Sequence, residues 1–341
     1  PAREWFCRYP RAAPPARPAR PMSQFFLQRL ATLIATLAVA SLVVFGVLEV
    51  LPGNAAQTLL GPDADPEAVA ALAAQLGLDQ PAWQRYLQWV HGLLTGALGD
   101  SHAYGSPVAE LILERLQLTI PLAVLAMLLA AVLALGAGVY AAAHHQRPGD
   151  WGLMGLAQIG IALPNFWFAI LLILLFAVQL QWFPAGGFPG WRAEDGGGLW
   201  PGLHALVLPA LSLAVVQGAI LARVTRSAVL DVLREDFVRT ARAKGLSPRA
   251  TLWRHVLRNA LVPVVTVMGL QFANLLAGTI VVENVFYLPG LGRLVFQSIA
   301  NRDLVVVRNC VMLLAALVVA VNFIVDVLTA LIDPRIAERH D

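Results

Sequence analysis

Charge is scarce in this chain: of 341 residues only 13% are Asp, Glu, Lys or Arg, against about a quarter in ordinary soluble domains. With 58% of the residues hydrophobic, that scarcity excludes a protein solvated mainly by water. Lysine is nearly absent, Lys244 being the only one, so arginine carries the positive charge. Cysteine is confined to Cys7 and Cys310, far apart in the chain, which excludes a disulfide framework. A Gly-x-x-x-x-Gly-Lys-Ser/Thr loop is missing, because the lone lysine is followed by Gly245 and Leu246. The chain therefore has no Walker loop with which to bind ATP. His91, His102, His144, His145, His204 and His255 are scattered without metal-ligand spacing, so no metal site is assigned. No nucleophile, base and orienting group are visible together, and no catalytic residue is assigned. An internal inverted repeat is not evident, and Asp326 is the one acid deep in an apolar run, which disfavours a secondary transporter or channel.

Long apolar runs fill the space these absences leave. A run of about 20 residues crosses roughly 30 Å of hydrocarbon, and six candidates occur at 25–51, 118–143, 151–180, 203–222, 260–282 and 304–332. They predict an all-α integral membrane protein with six transmembrane helices. The first run exceeds the apolar core of a signal peptide. Segment 51–106 has one basic residue, Arg85, against Asp63, Asp65, Glu67, Asp79 and Asp100, whereas 223–258 holds nine basic residues. Basic loops stay in the cytoplasm, so both termini are expected there, in agreement with Arg335 and Arg339 after the last span.

The expected organisation is a disordered Pro-, Ala- and Arg-rich extension at 1–21, read as lying upstream of a start at Met22, and a first transmembrane helix at 22–51. A small extracytoplasmic helical cap follows at 52–115, then a transmembrane core at 116–332 and a cytoplasmic tail at 333–341. Within the cap, Asp65-Pro66-Glu67 opens a short helix that Gly77 stops. A second segment from Pro81 to Leu94 carries Trp83, Tyr86 and Trp89, aromatics suited to a membrane interface, and Pro107 starts a helix leading into the second span.

The stretch 237–263 is a basic island in this apolar chain. Arg234 to Lys244 favours helix, with Leu233, Phe237 and Ala241 on one face. Gly245 suits the left-handed position that ends helices, Ser247 suits an N-cap, and Pro248 suits the first helical position. The second helix should show Leu252, Trp253, Val256 and Leu257 as one apolar face. Two helices joined at a glycine corner make a rigid elbow, a coupling element at 233–259 able to transmit motion from a docked partner.

Val238-Arg239-Thr240-Ala241-Arg242-Ala243-Lys244-Gly245 and the following LRNALVP closely resemble the EAA loop of ABC importer permeases, in the dipeptide, oligopeptide and nickel branch. Leu51-Pro52-Gly53, ALPNFWFAILLILLFAV, VVENVFYLPGLGRL and LIDPR match as well, and the resemblance runs from Met22 onward. Arg239 stands where the general pattern has Glu, a departure common in the peptide branch. The resemblance implies a non-catalytic permease subunit in a bacterial inner membrane that binds no cofactor itself, with ATP and Mg on partner ATPases. It further implies a homologous second permease, two cytoplasmic ATPase subunits, an extracytoplasmic solute-binding protein, surrounding lipid and no nucleic acid. Phe237, Arg239, Thr240, Ala241, Arg242, Ala243, Lys244, Gly245, Ser247 and Trp253 would couple to the ATPase. The cargo would be dipeptides, oligopeptides or a related solute, with nickel or glutathione as the alternative.

Polar residues within apolar spans face the bundle interior. Asn165, Gln217, Gln271 and Asn274 are therefore candidate pathway-lining residues, Gln271 and Asn274 sharing one helix face. Asp326 is expected to pair with Arg223 or Arg226. The stretch from Glu283 through Pro289, Gly290 and Gly292 is a candidate outer gate or docking surface.

Overall fold

The computed structural model describes residues 22–50, 60–61, 64–75, 77 and 79–332. The readings of 1–21, of Leu51-Pro52-Gly53 and of the tail from Asp333 lie outside the described residues. Apolar runs become α1 (Met22–Val50), α4 (Val108–Ala143), α7 (Leu199–Leu233), α10 (Leu257–Val285) and α12 (Leu304–Ile332). Between α1 and α4 lie the short helices α2 (Pro66–Gln75) and α3 (Ala82–Thr95). Among the described residues, five helices are long and apolar enough to cross a membrane, or six if one bent pair counts as a single span.

That pair is α5 (Pro148–Ala162) and α6 (Asn165–Leu172), the latter prolonged by a π-helical segment, Ile173–Gln179. The chain bends by 106° between the two limbs. Pro164 causes the break: it offers no N–H to the ladder, and it holds Leu163 in extended backbone (φ −81°, ψ 128°).

Several helices outrun the expected spans, with added turns that carry Glu110, Glu114 and Arg115 in α4 and Arg226 and Asp231 in α7. The boundary expected at 115/116 falls inside α4, so the last cap helix and the second span are one rod. α7 likewise begins at Leu199 and ends only at Leu233, just before the elbow.

α4 and α7 run in the same direction and make the most extensive helix pair. Their seam is built of small residues four apart, Ala126, Ala130, Ala134 and Gly138 against Ala210, Ala214, Gly218 and Ala222, all buried. Such a repeat lets two backbones close in and gain dispersion contact where no hydrophobic effect drives association. At Gly138 a Cβ would fall 2.6 Å from Thr225 Cβ and 2.7 Å from the Ala222 carbonyl oxygen. The seam continues into the main core with Leu118, Leu122, Leu206, Leu213, Leu275 and Phe286.

α10 packs antiparallel on α7 and on α12, and α12 packs antiparallel on α1. The cap sits on α1 and α12. Trp89 Nε1 donates to Asn309 Oδ1 at 2.9 Å, Asn309 Nδ2 donates to the Leu98 carbonyl at 2.9 Å, and Ser41 Oγ lies 2.8 Å from the Tyr86 hydroxyl. Phe45 packs against both rings. Tyr86 and Trp89, expected at a membrane interface, thus face the bundle, because each has a polar handle with a partner there. Trp83 alone of the three is strongly exposed.

Candidate functional site

The elbow forms as two helices about a glycine corner. α8 (Asp236–Ala243) ends in a complete Schellman closure: Gly245 N–H donates to Arg242 O at 3.0 Å and Leu246 N–H to Ala241 O at 3.3 Å. Gly245 has φ +87°, a left-handed value that a side chain would strain. Ser247 Oγ then accepts the Ala250 N–H at 3.2 Å and caps α9 (Pro248–Thr251), with Pro248 in its first turn. α9 does not stop. It passes through a π-helical turn, Leu252–Val256, directly into α10, so the second arm of the elbow is the root of a long apolar helix.

The inward face of the elbow differs from the expected one. Val238 and Ala241 are buried with Val229, Val256, Ala260 and Val264, whereas Phe237 is 42% and Trp253 58% exposed. The reason is the break at Arg234–Glu235: α8 is not the continuation of α7, so Leu233 does not set its phase. Arg239, Thr240, Arg242, Ala243 and Lys244 are exposed. Two large apolar side chains thus stand out of a basic surface on a rigid mount.

A buried carboxylate braces this end of the bundle. Asp150, fully buried at the start of α5, accepts from Arg226 Nε at 2.6 Å and Nη2 at 2.7 Å, and from the Gln146 N–H at 3.0 Å. The two parallel bonds to one guanidinium make a planar fork that fixes both distance and angle between α5 and α7. Arg226 is therefore not the partner of Asp326. Asp326 pairs with Arg29 at 3.2 Å, because the antiparallel packing of α12 on α1 turns that end of α12 away from α7. Arg223 instead donates to Gln158 Oε1 at 3.3 Å.

Three of the four candidate pathway residues form one hydrogen-bonded row. Gln271 Nε2 donates to Gln217 Oε1 at 2.9 Å, and Asn274 Nδ2 donates to Gln271 Oε1 at 3.0 Å. Gln217 is buried, Gln271 half-buried and Asn274 exposed. The row thus runs from the α7–α10 contact out to an exposed stripe of α10 that includes Leu270, Asn274, Ala277 and Val281. Asn165, at the start of α6, lies further along α10, with its Nδ2 3.4 Å from where a Cβ on Gly278 would stand.

At the opposite end, Glu283 is fully buried. Its carboxylate accepts from Thr119 Oγ1 at 2.7 Å and from the Gly292 N–H at 2.7 Å, at the start of α11 (Leu291–Ala300). Thr119 Oγ1 in turn accepts the Leu291 N–H at 2.9 Å. Added Cβ atoms on Gly290 or Gly292 would run into the Glu283 carboxylate or the α10 backbone. Glu283 is thus the clasp that holds the Pro289 turn against α4 and α10, and of this group Tyr287 is the side chain that points outward. Sequence reasoning missed Thr119 and Asp150. Each is a polar residue in or beside an apolar run, the one signal that marked it.

The fold is thus a bundle of long apolar helices with a braced, basic corner at one end. The chain belongs to the binding-protein-dependent transport system inner membrane component family, matched over residues 134–338, with the N-terminal part of such components matched over 22–123. It is 42% identical over 320 residues to a protein of Brucella abortus (strain 2308) that bears the name of a peptide transport system permease, covering 94% of this chain and all of the relative. It is 40% identical to the di/tripeptide transport system permease protein DppB of Pseudomonas aeruginosa (strain UCBPP-PA14), covering 94% of this chain and 99% of that one. To the glutathione transport system permease protein GsiC of Escherichia coli O6:H1 it is 40% identical, covering 92% and 99%. Its fold resembles that of the MetNI methionine ABC transporter in an inward-facing conformation, with a TM-score of 0.53 at 18% identity, over 65% of this chain and 96% of that one.

Proposed function

We propose that this chain is a permease subunit of an ATP-driven importer for peptides, paired in the membrane with a homologous second permease. It spans the membrane six times with both termini on the elbow side. The elbow seats in a cytoplasmic ATPase, and a solute-binding protein delivers cargo at the cap end. The observation that carries this reading is the elbow: a Schellman-closed, Ser247-capped corner with Phe237 and Trp253 outward, rooted without a break in α10. A push on such a corner moves α10 as a body, and α10 carries the Gln271–Asn274 row. Differential binding of ATP to two states of the ATPase pair drives the cycle. The peptide cargo rests on the relatives, all three near 40% identity. Glutathione, itself a tripeptide, stays within the same chemical class.

The test uses the assembled transporter in proteoliposomes. Gly245→Pro removes the N–H that closes α8 and forbids φ +87°. ATP hydrolysis should continue while peptide uptake falls by about tenfold or more, the effect of losing an interaction that tunes two states by one to three kcal/mol. Uptake at the parental rate per ATP would refute the mechanical role of the elbow. For the pathway, cysteines placed singly at Asn165, Gln217, Gln271 and Asn274 should react with a polar thiol reagent in at least one state of the cycle. Protection in both states would remove these residues from the path.

A further inference from the structure

At the cap end, between the end of α1, α3 and the start of α12, lies a cavity of about 570 Å³. Three arginines line it, Arg85, Arg302 and Arg308, with the carboxylates Glu49 and Asp100. Glu49 is already held by Arg85 in an ion pair. Arg308 is not so served. Its guanidinium stacks 4.9 Å from the centre of the Trp89 ring and 6.0 Å from that of Phe45, and its Nε is buried without a hydrogen-bond partner among the described residues. A ring face balances charge but accepts none of the five N–H donors of a guanidinium in the direction they point. A half-buried, cationic, under-accepted fork beside open volume is a site for an oxyanion.

We infer that this cavity binds the phosphate of a phospholipid headgroup. Phosphate supplies the several acceptor oxygens in one centre that Arg308 lacks, and Arg302 on the rim adds a second cation. A lipid source is favoured over a free anion by the walls. Phe45 and Leu48 on α1 form one side of the cavity, and the same helix exposes Leu42, Val43, Val47 and Val50. α3 exposes Trp83, Leu87 and Leu94 on one face while its Arg85 and Gln88 line the cavity. That is the pattern of a helix lying in the plane of an interface with its apolar side toward acyl chains. The cavity therefore sits at headgroup height, with acyl chains free to follow α1. The bound lipid would complete the joint between the cap and the first helix, and it is independent of the cargo and of the elbow.

Native mass spectrometry of the delipidated full transporter in detergent tests this, with phosphatidylglycerol, dioleoylglycerol and inorganic phosphate offered in turn. Phosphatidylglycerol should be retained, and Arg308→Gln should lower its occupancy about tenfold, as loss of charge-assisted hydrogen bonds does. Arg302→Gln, on the exposed rim, should lower it by a smaller factor and leaves the buried stack untouched, so it reads the site even if Arg308→Gln fails to assemble. Dioleoylglycerol, which lacks the phosphate, should bind weakly and equally to all three proteins. Equal phosphatidylglycerol occupancy in both arginine variants and the parent would overturn the site. Inorganic phosphate that displaces the lipid at matching concentration, with the same arginine dependence, would overturn the lipid as its occupant.

Discussion

The elbow and the clasp are both sharp corners between two helices, yet they are closed by different means. At the elbow every closing bond is local: Gly245 to Arg242, Leu246 to Ala241, Ala250 to Ser247. At the clasp the corner between α10 and α11 has local bonds too, such as Leu288 N–H to Glu283 O at 2.9 Å, but it adds a side chain from the preceding helix and a threonine 164 residues away from it in the chain. The first corner keeps its own shape whatever stands beside it. The second is completed only while α4, α10 and α11 are together. A corner of the first kind suits an exposed place where a partner must find a preformed surface, and a corner of the second kind suits a place where three elements must stay registered.

Four substitutions probe that contrast. The largest effect is expected at Glu283→Ala, which strands the Thr119 hydroxyl and the Gly292 N–H and leaves a hole, at a cost on the order of 3 kcal/mol. The readout is thermal unfolding of the detergent-solubilised protein, and an unchanged midpoint would erase the distinction between the corners. Gly245→Val forces a β-branched residue to φ +87°, with about 1–3 kcal/mol of local strain. Faster hydrogen exchange should then be confined to the segment around 236–256. If it spreads into α4, the elbow is not self-contained. Gln217→Leu removes the acceptor for Gln271 and should cost under about 2 kcal/mol, as interhelical hydrogen bonds in membranes do. Its effect on uptake should exceed its effect on unfolding, since the row points to the exposed side of α10. Ser247→Ala deletes one cap and is worth about 1 kcal/mol, felt as fraying of α9; a cap effect on global unfolding instead would place the elbow in the core.

The same difference governs what could be read beforehand. Gly245, Ser247 and Pro248 announced the elbow because caps act within a few residues of themselves. The apolar runs announced the long helices for a similar reason, since hydrocarbon acts on each residue separately. Direction was harder. Phe237 and Trp253 belong to apolar faces on periodicity, yet they point outward: the break before α8 resets the phase of Phe237, and Trp253 lies in a π-helical turn, where the α-helical period does not hold. Partners distant in the chain were beyond reach: Asp326 with Arg29, Trp89 with Asn309 and Glu283 with Thr119 depend on which helices lie side by side. The α4–α7 seam is an intermediate case. Its four-residue spacing of alanine and glycine stands openly in the sequence, but only the pairing of the two helices gives it meaning.

That seam also limits how the bundle can move. Alanine and glycine have no rotamers to exchange, so neither helix can yield a little by turning a side chain aside. The next arrangement in which bumps again meet hollows lies one whole repeat away, four residues or about 6 Å of travel along the helix axis. Small slippage between α4 and α7 therefore climbs steeply in energy, as teeth do when a ratchet is pressed between notches. Displacements of an ångström or two must be taken up elsewhere in the bundle, with α4 and α7 carried along as one plank.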